Sequence, residues 1–168
     1  MLPIMKRDAF VIRPGGEADW PALGQALADL QDFERAIVGY PVRPGRDVWQ
    51  HYLAELRQRL RDDQGIFLVA VAGGNIVGVL AGYVHQAGDR LVDPAFDRSA
   101  YISDLFVHDA WRRRGVGSAL MRAFEQGMRA TGVQWLSVCV KSRNTTAHDA
   151  YRAYGFEDYE TILTKRCS

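Results

Sequence analysis

Arg112-Arg113-Arg114-Gly115-Val116-Gly117 is the stretch on which the reading of the fold turns. Before it, Tyr101 to Val107 has the composition of a strand. After it, Val116, Leu120, Phe124 and Met128 recur every fourth residue, which marks one face of a helix that Gly132 is placed to end. A strand, a glycine loop and a helix in that order aim the helix's first unpaired N–H groups, and the positive end of its dipole, at whatever occupies the loop. Glycines at 115 and 117 let backbone approach a phosphate and the arginines add charge, so a diphosphate suits the loop. The same residues also read as a tight turn beside a solvated basic patch, and the loop alone does not choose between the two. No Gly-Lys-Ser/Thr follows and the third glycine of the dinucleotide fingerprint is missing, so nucleotide hydrolysis and hydride transfer both lose support.

Upstream, Phe10-Val11-Ile12-Arg13 reads as a first strand stopped by Pro14-Gly15-Gly16. Asp19 stands where a helix N-cap belongs, Pro21 falls in the first turn, and Trp20, Leu23, Leu27 and Leu30 share a face. Asp47 is placed to cap a second helix with Trp49, Tyr52, Leu53, Leu56 and Leu60 on its apolar side. Its other side, with Arg57, Arg59, Arg61, Asp62 and Asp63, reads as solvated. Ile66–Ala72 and Ile76–Val84 are β-branched runs joined by Gly73-Gly74-Asn75, a hairpin turn. Gln86 to Arg98 has no apolar period and reads as a loop, either functional or a solvated connector. Downstream, Trp135–Val140 reads as a strand, Thr145–Tyr154 as a short helix ended by Gly155, and Phe156–Thr164 as a final strand. The expected class is α+β, a mixed sheet flanked by helices, with residues 1–168 in one domain.

Composition narrows the function classes. Lysine and arginine number 21 against 20 acidic residues, a net charge of +1, so neither nucleic acid nor a membrane surface is an expected partner. Cys139 and Cys167 cannot build a disulfide framework and no secretory pattern opens the sequence, so a cytoplasmic location is expected. The most apolar stretch, Ile66 to Val84, is broken at Gly73-Gly74-Asn75, short of the roughly 18 consecutive apolar residues of a membrane helix. His51, His85, His108 and His148 lack metal-ligand spacing with the cysteines, and no metal is expected. Cys139, on an apolar strand, reads as a small hydrophobe rather than a nucleophile.

Two motifs identify a family. Arg112, Gly115 and Gly117 fill a signature of Arg or Gln, two free positions, Gly, one free position, then Gly or Ala, placed after a fourth strand. Asn144, Ala147, Tyr151 and Gly155-Phe156 fill a second pattern of Asn, Ala three on, Tyr seven on, then Gly-Phe. In both, the chain resembles the GNAT N-acetyltransferase superfamily, over Tyr101 to Phe156.

The resemblance implies the acyl-CoA N-acyltransferase fold, a mostly antiparallel mixed sheet whose fourth and fifth strands splay apart, with acetyl-CoA as co-substrate and no metal. It implies that the pantetheine arm lies in that gap against backbone groups of Leu105, Phe106 and Val107. The amides of Arg113, Arg114, Gly115, Val116, Gly117 and Ser118 would hold the diphosphate, beside Arg112. Asn144 would touch the cofactor arm, cap the short helix, or do both. Tyr151, protonated at neutral pH, would be the general acid to the departing thiolate, with Tyr154 its local competitor. A backbone N–H near Val107 would face the oxyanion.

The base is less defined. Tyr101–Val107 is similar to the matching strand of diamine (spermidine/spermine) acetyltransferases, which carry Glu-Asp where this chain has Ser103-Asp104. Strict alternation puts Ser103 and Asp104 on opposite faces, so Asp104 does not inherit the missing Glu's place. Asp104 either relays a proton through water or attracts a cationic amine, or it makes only a local hydrogen bond. The resemblance implies acetyl transfer to a primary amine of a small molecule or peptide. A non-catalytic acyl-CoA-binding or sensing module, and a protein lysine or N-terminal acetyltransferase, stay open as alternatives. Trp20, Glu34, Tyr40 and Trp49 are candidates for lining the acceptor pocket, with core packing as the other account. Homodimers are frequent in the family, which makes a homodimer the assembly that the resemblance implies.

Overall fold

The computed structural model describes residues 9–39 and 41–167. In chain order the elements are β1 (Val11–Pro14), α1 (Trp20–Val38), α2 (Gly45–Asp62), β2 (Ile66–Ala72), β3 (Asn75–Gln86), the single turn α3 (Pro94–Asp97), β4 (Arg98–Val107), α4 (Val116–Met128), β5 (Leu136–Val138) and α5 (Thr145–Tyr154). The five strands form one sheet in sequence order, antiparallel throughout except for the parallel pair β4 and β5. The β2–β3 turn is made by Gly73 and Gly74, both at positive φ (55° and 82°), as a tight hairpin between right-twisted strands demands.

Helices cover both faces. On one, Leu120, Phe124 and Met128 of α4 pack with Leu68, Leu80 and Ile102. On the other, Leu23 and Leu27 of α1 and Leu56 of α2 pack with Val69, Val79 and Phe106. β2 and β3 are therefore buried on both sides, which is why they read as continuous apolar runs instead of alternating ones. Gly82 lets α4 sit this close: a Cβ there would lie 2.5 Å from both the Phe124 ring and the Tyr101 carbonyl oxygen.

Several sequence expectations need correction. Phe156–Thr164 is not a strand: a strand needs a neighbour's edge, and this segment, exposed beyond Phe156, pairs with none among the described residues. The fifth strand spans only Leu136–Val138 instead of Trp135–Val140, so Cys139 lies beyond it and is exposed, not in an apolar strand. β4 starts at Arg98, because β3 continues to Gln86 and pairs with it. What remains of the expected loop is ordered by α3, with Asp93 as its cap, and by the Asp97 carboxylate, which accepts the N–H groups of Gly88 and Asp89. Asp19 does not cap α1 with its side chain; it pairs with Arg13 at 2.6 Å and accepts the Gly16 N–H, which holds its pKa down to about 2. α2 begins two residues before Asp47, and its first N–H, that of Gly45, donates to Asp32 of α1 at 2.7 Å. Gly45 lies against the Ala28 backbone, where a side chain would collide. Trp20 stacks on Phe67 with ring centroids 5.1 Å apart, and Trp49 lies over Gly24, so both tryptophans fasten helices in place. Tyr40 lies outside the described residues.

Candidate active site

The site is built where β4 changes phase. Gly82 pairs with Ile102 and Ala81 with Asp104, so Ser103 is an extra residue, a β-bulge. On its early side Ala100 and Ile102 face α4, whereas past it Leu105 and Val107 do so, and Asp104 and Phe106 turn to α1 and α2. The bulge overturns the expectation that Ser103 and Asp104 lie on opposite faces: the Ser103 hydroxyl donates to the Ala81 carbonyl at 3.1 Å and lies near enough to the Asp104 carboxyl to lower its pKa.

The same point opens the sheet. β5 pairs with β4 at Ala100, Tyr101 and Ile102, and β4 continues for five residues with no strand on that edge among the described residues. Peptide groups alternate in direction along a strand. The His108 N–H bonds to Val77 of β3 at 3.0 Å, so those of Phe106 also face β3, while Leu105 and Val107 turn theirs into the gap. Of the three residues expected to meet a pantetheine arm through their backbone, Phe106 thus points the other way.

At the end of β4, Arg112 folds back instead of outward. Its Nε donates to the Val107 carbonyl at 3.0 Å, its guanidinium meets Asp109 at 2.8 Å, and the Phe33 ring lies 5.4 Å away. It closes the strand's end and sets the loop's exit. Arg113 takes φ 59° and Gly115 φ 85°, left-handed conformations that gather successive N–H groups into a concave turn. Arg113 adopts this without being glycine, at a cost of about 1–2 kcal/mol. Arg114 lies over the Trp111 ring at 5.2 Å. Ala119 makes the first helical bond, to Gly115 at 3.0 Å, which leaves the N–H groups of Val116, Gly117 and Ser118 at the open end of α4. A Cβ at Gly117 would touch nothing nearer than a Val107 methyl at 3.9 Å. Protein packing therefore does not require glycine at 117, whereas a phosphate drawn up against these N–H groups would. The residues present fit a CoA diphosphate.

Asp104 is 7% exposed, and its Oδ2 accepts a hydrogen bond from the Tyr52 hydroxyl of α2 at 2.9 Å. Burial raises its pKa to about 6, against the pull of Tyr52 and Ser103. Around it stand Glu34 of α1, itself raised by burial, and Tyr101 of β4, pushed up to about 12. Tyr83 of β3 meets the Tyr101 ring edge-on at 5.7 Å. Tyr151 of α5 is within range of the Asp104 and Glu34 charges; burial first, and those charges next, hold its hydroxyl above the usual tyrosine range and so protonated. Its competitor is committed elsewhere, since the Tyr154 hydroxyl donates to Glu125 of α4 at 2.7 Å. Asn144 is buried and its side-chain oxygen accepts the Ala147 N–H at 3.1 Å, capping α5. Gly155 ends that helix at φ 116°. Among the described residues no group of His, Cys, Asp and Glu is arranged to hold a metal ion.

Sequence reasoning placed Tyr52 only on a helix's apolar face. Its partner lies 52 residues away, and nothing local in either segment signals the pair. An unusual tyrosine in a leucine-rich face was the one available hint.

Comparison with known proteins shows the family and the fold. Residues 27–156 match the acetyltransferase (GNAT) family. A Stenotrophomonas maltophilia aminoglycoside N(6')-acetyltransferase type 1 is 31% identical over 112 residues, 66% of this chain and 72% of its own. A Yersinia pestis acetyltransferase is 31% identical over 137 residues, 79% of this chain and 86% of its own. Among solved structures, an aminoglycoside N-acetyltransferase in complex with CoA superposes with a TM-score of 0.70 at 18% identity, covering 98% of this chain and 99% of its own. A mutant Bacillus halodurans protein reaches a TM-score of 0.80 at 17% identity, over 94% and 99%. The two solved structures share the fold. The family match spans most of the chain and contains the bulge, the open β4 edge, the glycine loop and Tyr151, so the chain belongs to the GNAT family of acetyl-CoA-dependent N-acetyltransferases.

Proposed function

We propose that the protein transfers the acetyl group of acetyl-CoA directly to a primary amine of a small molecule, with Asp104 and Tyr151 as its proton-handling groups. What carries the reading is a buried carboxyl of raised pKa just past the point where β5 leaves β4, with a protonated tyrosine within range of its charge. Acetyl-CoA supplies the thioester to be cleaved. The N–H groups of Val116, Gly117 and Ser118 hold its diphosphate, with the turn at Arg113–Gly115 shaping their approach. Leu105 and Val107 pair with the arm, and the Val107 N–H faces the oxyanion. Asp104 as a carboxylate takes a proton from the incoming ammonium, directly or through one water, so that the neutral amine attacks. As the C–N bond forms and the C–S bond breaks, Tyr151 donates its proton to the departing thiolate, and the proton that the new amide nitrogen gives up restores the tyrosine. Two carboxyl groups, Asp104 and Glu34, favour a cationic acceptor over a neutral one. A relative named as an aminoglycoside acetyltransferase favours a small polyamine-like molecule over a protein.

The test is thiol release from acetyl-CoA with a panel of aminoglycosides, polyamines and peptides bearing free lysine or N-terminal amines. Amine-dependent release with the small cationic molecules is expected. CoA binding without release for any amine would establish a sensing module, and release with peptides alone would establish a protein acetyltransferase.

We also propose that two copies pair through the segment after α5. Glu157, Asp158 and Glu160 precede Ile162 and Leu163 (76% and 90% exposed), and Lys165 and Arg166 follow. Antiparallel pairing of two such segments sets the acidic start of one against the basic end of the other, covers the apolar middle, and provides the edge that this segment lacks among the described residues. Light scattering should find a dimer that Leu163→Glu dissociates; a monomeric wild type would overturn the pairing.

A further inference from the structure

We propose that Tyr52 is the positioning residue of this site: its hydroxyl, delivered by α2, holds the Asp104 carboxylate by Oδ2 and leaves the other oxygen to receive the amine's proton. The inference rests on the reading of Asp104 as the group that takes that proton.

The geometry is specific. Tyr52 stands one turn before Leu56, which is 1% exposed in the core beneath α2, so packing fixes the helix from which the tyrosine reaches Asp104. Tyr52 is 37% exposed, with its hydroxyl turned inward to the carboxyl of Asp104, a residue 7% exposed. The bond spans the two layers that make the acceptor side, a helix above the sheet and the strand just past its bulge, so any shift of α2 is felt at Asp104. A tyrosine O–H can only donate to a carboxylate, so the bond favours the charged form.

The groups facing Asp104 leave this task to Tyr52. On β4 itself are Ser103 and Tyr101, on β3 Tyr83, on α1 Glu34 and on α5 Tyr151. The nearby cations serve others: Arg59 lies over the Tyr83 ring at 5.5 Å, and Lys141 acts on Glu34. Glu34 and burial both oppose the charge on Asp104; Tyr52 is the strongest influence supporting it, ahead of Ser103. Without that bond the carboxyl would stay protonated into the neutral range, where it could not take up a proton.

The experiment compares wild type with Tyr52→Phe, which keeps the ring and removes the donor. Carbon-13 NMR titration of the Asp104 carboxyl, identified by its absence in Asp104→Asn, reads its pKa without turnover. Losing a hydrogen bond to a charged group should raise that pKa by about one unit. The acid limb of kcat/KM should move up with it, so that activity falls about fivefold at pH 6, approaches a tenfold loss at about pH 5 and changes little at pH 8, with KM for acetyl-CoA unchanged. A carboxyl pKa that stays put, or a loss of activity equal at all pH values, overturns the role of Tyr52 and leaves that of Asp104 standing. An acid limb that persists in Asp104→Asn overturns the reading of Asp104 as the proton acceptor, and the role of Tyr52 falls with it.

Discussion

Replacing Tyr151 by phenylalanine removes one oxygen and leaves what the ring does for the fold. The ring packs edge-to-face against Phe156 at 5.4 Å and joins the core beneath α4. No hydrogen bond of its hydroxyl is found among the described residues, so the change in unfolding free energy should stay within about 0.5 kcal/mol. The hydroxyl is held above its usual range by burial, then by the charges of Asp104, Tyr101 and Glu34, so at pH 7 essentially every molecule carries the proton to be donated. General acid catalysis contributes about 10²–10⁴-fold, or roughly 3–5 kcal/mol of barrier. Tyr151→Phe should lower the rate of acetyl transfer by that factor, with the dissociation constant for acetyl-CoA unchanged. A single-turnover measurement of thiol release, paired with calorimetric titration of CoA, separates the two quantities and keeps product release from masking the chemistry. A single-turnover rate within threefold of wild type would refute the assignment of Tyr151 and move the proton donor to solvent.

Three further perturbations have definite outcomes. Burial keeps the Asp104 pKa at about 6, above the value near 3.9 in an unfolded chain, so the folded protein binds this proton more tightly. That contribution to stability is full below about pH 4 and is lost as pH rises through 6, by roughly 3 kcal/mol in all. Asp104→Asn should therefore raise the thermal midpoint at pH 8 while abolishing the acid limb of kcat/KM; a lower midpoint at that pH contradicts the burial argument. Gly117→Ala adds a methyl that touches only Val107 at 3.9 Å, so the fold should gain up to about 1 kcal/mol from helix propensity. The same change should weaken acetyl-CoA binding about tenfold in calorimetry, and unchanged affinity would remove the diphosphate from this loop. Gly82→Ala puts a methyl 2.5 Å from the Phe124 ring, and urea unfolding should show a loss of about 1–3 kcal/mol.

How far the site was legible in the sequence depends on the range of the interactions involved. The α4 face of Val116, Leu120, Phe124 and Met128 was readable because a helix's buried stripe repeats within a few residues, and all four are buried. The Gly73-Gly74 turn and the Gly155 stop were readable because positive φ selects glycine whatever surrounds it. Asp104 was placed wrongly relative to Ser103 because alternation holds only while a ladder stays in register, and the bulge belongs to the pairing of two strands. Phe156–Thr164 carries the residues of a strand, yet composition cannot say whether an edge is free to receive it.

The sequence alone, through periodicity and turn chemistry, determined the glycine loop before α4 and the order of elements up to α5 apart from the single turn α3, and its resemblance to a family supplied the roles proposed for Tyr151 and Asn144. Tertiary structure decided the rest. It set which face Asp104 takes, brought Tyr52 to it across 52 residues, folded Arg112 back onto the Val107 carbonyl, and opened the β4 edge by ending β5 after three residues. The division has one cause: conformational preferences act over a turn or a strand, whereas burial and long-range hydrogen bonds, which set the charge on Asp104, exist only once distant segments have packed.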